Sequence, residues 1–333
     1  MAGALRHLGD IWLNQFGATF LAAGSTLSLA ALTCTFLLAA ILAIPRGGGR
    51  MPRLAVWRRA LFPRRLWRSA SGRADIGYFG FGMLFFGIAF GWAMLSSASI
   101  ASAGQGVLAA WFGPARPLAL PATAISAILT IAFFLAYEFA YWLDHWLSHK
   151  IPILWQFHRV HHAAESLSLL TNFRVHPVDT IVFAGIVAVV VGMVQAIAAY
   201  LVGPYAHGWE IGGANVIALV SATCLTHLQH SHLWITFGPR WGKLLLGPAH
   251  HQIHHSADPR HFDRNFGSAL AIFDRLFGTF HMPAGRREPL GFGLGASEPA
   301  PHGLKAAIVD PVAGAARIAL AGVEPSTPRL FRR

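Results

Sequence analysis

Four long, mostly apolar stretches constrain this chain more than any other feature. They run from about Phe16 to Ile44, Tyr78 to Ile100, Leu120 to Leu143 and Val178 to Val202. A fifth, weaker stretch covers about Ile211 to Leu225. A helix needs roughly 20 apolar residues to cross a bilayer. The pattern therefore predicts an all-α, polytopic membrane protein of about four to five spans. Composition agrees: 12% of residues are charged, against about 25% in an average soluble domain.

Net charge is +12, and 23 of the 26 basic residues are arginine. Nine of these lie between Arg46 and Arg73, between the first two apolar stretches. Clustered Arg beside a span marks a cytoplasmic loop, which reads the basic excess as topogenic and speaks against nucleic-acid binding. Trp57, Phe62 and Trp67 interleave with these arginines. The loop then either lies on anionic lipid or is simply solvated. The N-terminus lacks the basic and short apolar regions of a cleaved signal. Cys34 and Cys224 sit inside apolar stretches and are expected as small buried hydrophobes, not as a disulfide.

The second feature is histidine. Fourteen of 18 histidines lie between His145 and His255. Eight of them form three clusters: His145-x-x-x-His149, His158-x-x-His161-His162 and His251-x-x-His254-His255. On a helix, residues i and i+4 share a face, so the spacing lets several imidazoles point one way. Neutral imidazole suits Zn, Fe, Cu and Ni. Eight nitrogens exceed the four of a structural zinc site, which suggests two metals. With the Arg loop inside, the third apolar stretch delivers His145 and His149 to the cytoplasmic face. The fourth and fifth form a hairpin that returns His227, His230 and His232 to it, so all the clusters share one side. His7, His207, His281 and His302 read as ordinary polar residues. No H-E-x-x-H is present, so the zinc-protease pattern is missing.

The ordered clusters resemble those of the integral-membrane fatty acid hydroxylase / sterol desaturase superfamily. Three further stretches are similar to that family's: Arg174-Val175-His176-Pro177, Gln229-His230-Ser231-His232, and Asn265-Phe266-Gly267 followed by Asp274-Arg275-Leu276-Phe277-Gly278-Thr279. The likeness covers roughly residues 120–282. It implies a di-iron centre, with zinc able to replace iron in purified protein. The ligands it implies are His145, His149, His158, His161, His162, His230, His251, His254 and His255, with His227 a further candidate. His176 is expected to line the site or support it, and Asn265 and Asp274 to support it. The sequence departs from the family at Trp146, where Arg is frequent, at His232, where Asn is usual, and at the extra His250.

Glu138 lies inside an apolar stretch, where an acid is costly and faces the protein interior. It is read either as fixing the far nitrogen of a ligand histidine or as pairing with a nearby Arg or Tyr. Asp144 is read as an exposed acid at the membrane edge. Trp142, Trp146, Trp155 and Trp234 are read as interfacial anchors. The chain divides into residues 1–119 (membrane helices and Arg-rich loop), 120–282 (catalytic region) and 283–333. The last is expected as an extended tail with a short helix near Val312–Ala321.

These readings predict O2-dependent hydroxylation or desaturation of an aliphatic C–H bond in a lipid. No flavin, haem or Fe–S motif is present, so electrons are expected from a separate cytochrome b5- or ferredoxin-type chain. The expected place is a bacterial inner membrane, with the site facing the cytoplasm. Residue type alone does not choose among sterols, fatty acyl chains, carotenoids and ornithine lipids. Two competing classes are a zinc or iron transporter, which wants ionisable groups deep in several spans, and a zinc hydrolase, which wants a carboxylate base.

Overall fold

Helices carry nearly all the regular structure, because a long apolar chain satisfies its backbone polar groups most simply within each segment. The computed structural model describes residues 13–14, 16–42, 68–204, 207–295 and 302–321. Most of the Arg-rich loop, including Trp57, Phe62 and Trp67, lies outside them, as does His7.

Among the described residues, two helices are long and apolar enough to cross a membrane: α3 (Ala122–Lys150) and α5 (Pro177–Val202). Only 28% and 33% of their most apolar stretches is buried, whereas the core helix of a water-soluble domain is mostly buried. Ile128 and Ile131 of α3, and Ile181, Val189, Met193 and Ile197 of α5, are exposed. Such an apolar surface fits lipid better than water. The helix α2 (Ala70–Phe112) runs for 43 residues, about 65 Å at 1.5 Å per residue. Ser69 starts it by accepting from the Gly72 N–H at 2.9 Å.

Small residues let these helices approach closely. Ala89 and Ala93 of α2 cluster with Ala184 and Ala188 of α5. At Gly192 a Cβ would stand 2.8 Å from the Ser97 carbonyl oxygen of α2, so only glycine fits. On its other side α5 packs through Val190 against Ala136 and Ala140 of α3.

The apolar stretch Phe16–Ile44 does not form one continuous helix. It breaks over residues 21–28 before α1 (Leu29–Leu42). The Ser25 hydroxyl donates to the Thr19 carbonyl at 2.5 Å, and Ser28 caps the new helix at Ala31 N–H. Gly24 meets the backbone of Gly212 too closely for any side chain. Gly212 belongs to a hairpin, β1 (Glu210–Ile211) and β2 (Ala214–Asn215), where the start of the fifth apolar stretch was expected to be helical. Helix α6 (Val216–Gln229) follows, with a π turn over Ala222–Thr226. Helices α1 and α6 are each about 21 Å long, short of a bilayer core of about 30 Å. They are joined by Thr35 donating to the Thr223 carbonyl at 2.8 Å. Cys34 and Cys224, expected to be buried, are exposed.

Pro152 opens α4 (Pro152–His162) directly after α3. Proline is favoured at that position because the first N–H of a helix has no partner there. The cap then adds α7 (Pro248–His254) and α8 (Ile272–Leu276). A final helix, α9 (Leu304–Ala321), is longer than the tail reading foresaw. It packs on α4, with Ala307 joining Val160, Ala74 and Tyr78 in one buried cluster. Arg174 and Asp75, both fully buried, pair at 3.2 Å and tie the start of α2 to the cap.

Candidate metal centre

Nine of the ten histidines expected as ligands converge in two buried groups. His145, His149, His158, His162 and His254 form one; His161, His230, His251 and His255 form the other. Within each group the candidate ligand atoms lie within 4.8 Å of one another. The groups adjoin, with the His162 and His255 rings stacked at 4.5 Å.

Each H-x-x-H-H cluster divides between the two groups, which the reading as paired tripods did not foresee. Helix geometry explains the division. At about 100° per residue, i and i+4 stand about 40° apart, while i+3 stands about 60° to the other side of i. His158 and His162 therefore enter one group and His161 the other. On α7, His251 and His255 go together and His254 crosses over.

The outer nitrogens fix which atom faces inward. His145 Nδ1 donates to the Phe266 carbonyl at 2.8 Å, and His254 Nδ1 to the Arg264 carbonyl at 2.8 Å. A carbonyl cannot donate, so both Nε2 atoms present lone pairs. His158 Nδ1 lies 3.1 Å from Asp179 Oδ2, leaving its Nε2 buried without a partner. His162 Nε2 stands 3.1 Å from the Nε2 atoms of both His149 and His254. In the second group His230 Nε2 is 3.0 Å from His161 Nε2 and 2.8 Å from His251 Nε2. Burial, aided by neighbouring imidazoles, pushes His161, His162, His251 and His255 well below the ordinary histidine pKa, and takes His230 and His254 down to about 3. Neutral rings with converging lone pairs, closed off from water, are the donor set a cation satisfies. The residues fit two metal ions of the kind imidazole binds.

A single loop, residues 263–271, aims the rings. Asp263 and Asn265 adopt positive φ, 60° and 57°, which Asn and Asp tolerate better than most residues. Asn265 donates to the carbonyls of His250 and His281 and accepts from the His281 N–H at 2.8 Å. Asp274 accepts from the Phe266 and Gly267 N–H groups, both at 2.8 Å, and from the Thr279 hydroxyl at 2.6 Å. Glu138 accepts from Ala269 and Leu270 N–H at 2.9 and 2.7 Å. Glu138 thus holds the loop backbone; among the described residues neither a ligand ring nor an Arg or Tyr is its hydrogen-bond partner.

Other expected residues are placed elsewhere. His227 joins neither group; its Nε2 lies 2.6 Å from the Thr26 carbonyl. His176 caps α5, its Nδ1 accepting from Val178 N–H while Nε2 meets the Ile308 carbonyl of α9. His250 accepts from Gly247 N–H, and His232 lies outside both groups. Trp142 and Trp155 are buried, not at an interface, and Trp155 packs 5.1 Å from the His149 ring. Asp144 is buried too. Asp179 was missed; its signal was an acid in the first turn after the His176-Pro177 helix start.

A cavity of about 500 Å³ reaches His145, His158, His161 and His230, with Tyr137, Tyr141, Phe173 and Phe183 in its wall. A smaller one, about 50 Å³, touches His149, His162, His254 and His255 from another side.

Exposed apolar helices surround two buried histidine groups, the arrangement of a membrane-associated, metal-binding protein. Residues 130–279 match the sequence profile described as fatty acid hydroxylase. The two groups are consistent with the di-iron site typical of that family. Among curated relatives, the chain is 27% identical over 141 residues to an alkylglycerol monooxygenase of Danio rerio, covering 39% of this chain and 26% of that protein. It is 26% identical over 144 residues to the alkylglycerol monooxygenase of Caenorhabditis elegans, covering 43% and 25%. It is 26% identical over 173 residues to the ornithine lipid hydroxylase OlsE of Rhizobium tropici, covering 52% and 46%. The chain thus spans about a quarter to a half of the length of these relatives. No solved structure matches it.

Proposed function

We propose that this chain hydroxylates an aliphatic C–H bond of a bilayer lipid. One atom of O2 enters the C–H bond and the other leaves as water. Two electrons and two protons enter from outside, the electrons from a separate one-electron carrier of cytochrome b5 or ferredoxin type. The observation that carries the reading is the adjacency of two buried all-imidazole groups to a cavity of about 500 Å³. The relatives that match are named as a monooxygenase and a hydroxylase of lipids, which favours hydroxylation over desaturation.

His145, His149, His158, His162 and His254 would hold one iron, and His161, His230, His251 and His255 the other. When bound, the irons supply the O2 chemistry that no side chain provides. The protein's own share is positional. The 263–271 loop and Asp179 hold the ligand rings in one tautomer and one orientation. Burial excludes water, so the rings stay neutral and the reacting carbon is kept from solvent. Tyr137, Tyr141, Phe173 and Phe183 offer a largely apolar wall to an alkyl chain.

The finer topology belongs to the same proposal. The chain crosses a bacterial inner membrane about four to five times, with the short α1 and α6 accommodated by local thinning of the bilayer. The Arg-rich loop 46–73 and the histidine cap face the cytoplasm, as the positive-inside rule directs. Substrate then enters from the bilayer while the electron carrier docks from the cytosol.

The test is lipid profiling of membranes with and without the chain, grown under 18O2. The expected result is a lipid heavier by one labelled oxygen, absent with His161→Ala. Iron-loaded, reducible protein that leaves every lipid unchanged would sink the proposal.

A further inference from the structure

The cap carries an exposed apolar surface beside the last turns of α3. Helix α8 and the segment 238–245 lie side by side there. Leu246 N–H donates to the Ala269 carbonyl and Ala271 N–H to the Leu244 carbonyl, both at 2.9 Å, and the Arg275 guanidinium donates to the Lys243 carbonyl at 3.3 Å. Trp241 is 63% exposed and Leu276 70%, and Leu244, Ile272 and Phe277 are exposed with them. An apolar patch of this kind, rimmed by polar groups, marks a contact with a membrane or another protein. The rim here is cationic. Arg240, Lys243 and Arg275 are exposed, and the one acid in either stretch, Asp274, is buried and bonded to the Phe266 and Gly267 N–H groups.

Depth decides between the two kinds of occupant. Helix α3 has 29 residues, about 44 Å at 1.5 Å per residue, which matches a bilayer together with its head groups. Phe273 of α8 packs on Phe139 of α3 with ring centres 5.3 Å apart, and Phe277 stacks on Trp142 at 4.3 Å. Phe139 and Trp142 stand about 16 and 12 Å before the end of α3. With α3 centred in the bilayer, α8 is held where hydrocarbon meets head groups, and a water-soluble partner has no access at that level.

We propose that α8 and residues 238–245 form an interfacial docking face for anionic lipid. Trp241, Leu244, Ile272, Leu276 and Phe277 enter the edge of the leaflet on the cap's side, while Arg240, Lys243 and Arg275 hold lipid phosphates. Tryptophan favours this level of a bilayer, and each cation close to an anionic surface strengthens the attraction about fivefold. This inference rests on α3 crossing the membrane, as proposed above, and is independent of the oxygenase chemistry.

The test is fluorescence quenching on the full 333-residue chain in nanodiscs of phosphatidylcholine and phosphatidylglycerol. In a background with Cys34→Ser and Cys224→Ser, an NBD fluorophore is attached at Leu276→Cys. A nitroxide near the top of the acyl chain of one lipid or the other reports contact. Ile131→Cys, exposed on α3, and Arg260→Cys, exposed on the cap, are the references for hydrocarbon and water. The expected result is a Leu276 label quenched by lipid and shielded from aqueous iodide, with a quenching constant about fivefold larger for phosphatidylglycerol than for phosphatidylcholine. Arg240→Gln/Lys243→Gln/Arg275→Gln removes that preference and keeps the quenching. Arg240→Gln/Lys243→Gln, which spares the Arg275 hydrogen bond, serves where the triple variant does not fold. Iodide quenching at Leu276 equal to that at Arg260 overturns the proposal. So does a label that neither lipid nor iodide reaches, which would mean that another stretch of the chain or a second copy covers the patch. Equal quenching by the two lipids, or a preference that survives the triple variant, overturns it as well. The two readings fail separately. Lipid quenching at Ile131 without quenching at Leu276 sinks only the docking face, whereas no lipid quenching at Ile131 takes α3 out of the bilayer and sinks both.

Discussion

Asp179 is the residue on which ring orientation at the five-histidine group most plainly turns. It is the only carboxylate among the described residues within 3.1 Å of a ligand nitrogen. Removing a partner of this kind typically costs about 10–100-fold in metal affinity. Asp179→Ala is expected to weaken iron or zinc binding at the five-histidine group by that factor and to spare the other. Competitive chelator titration, which separates the two sites, checks it. His227→Ala is expected to leave the metal stoichiometry unchanged, because His227 is turned to the Thr26 carbonyl. Eight of the nine converging histidines were legible because i, i+3 and i+4 spacing is a local property, whereas His230 came only from the resemblance of Gln229-His230-Ser231-His232 to the family's stretch. Asp179 was not, because it lies 21 residues from His158 and nothing local links them.

The pH dependence also belongs to single residues. His230 and His254 have folded values near 3, below the ordinary value of about 6.5. The unfolded chain therefore takes up protons first as pH falls. Stability is full above about 6.5 and is lost progressively towards 3. Metal-free protein should show its unfolding temperature dropping steadily between about pH 7 and pH 4. A flat profile across that range would show the rings are not held neutral by burial.

Among elements, the loop 263–271 matters more than any helix. Its carbonyls orient His145 and His254, while Glu138 of α3 and Asp274 of α8 clamp its N–H groups. Asp274→Ala strands the Phe266 and Gly267 N–H groups, at about 1–3 kcal/mol each. The expected outcome is a clear loss of stability together with loss of metal, read by thermal unfolding and metal analysis on one preparation. The buried Arg174–Asp75 pair plays the same part for α2. Breaking it with Arg174→Met should cost about 3–5 kcal/mol, because a carboxylate is left buried and unpaired. The long helices α2, α3 and α5 were visible as apolar runs, whereas the short α4, α7 and α8 of the cap carried no such run. The break at residues 21–28 was not visible, because it answers to a contact between Gly24 and Gly212, far apart in the chain. The length of α9 was missed for a similar reason: its partner is α4, so only long-range packing makes that Pro- and Gly-bearing segment helical.

For the whole molecule, the decisive question is which side of the bilayer the cage faces. If α3 crosses the membrane, Arg116 before it and the exposed Arg260 of the cap after it lie on opposite sides. The Arg-rich loop then lies with Arg260, since α2 and α3 make one excursion between them. This follows from counting spans and from the positive-inside rule together, and each can fail alone. In a background with Cys34→Ser and Cys224→Ser, a membrane-impermeant maleimide should label Arg116→Cys in intact cells. It should label Arg58→Cys and Arg260→Cys only in inverted vesicles. Arg116 and Arg260 labelled from the same side would mean that α3 does not span. All three reversed would keep the span and turn the site outward, where a cytosolic electron carrier has no access to it.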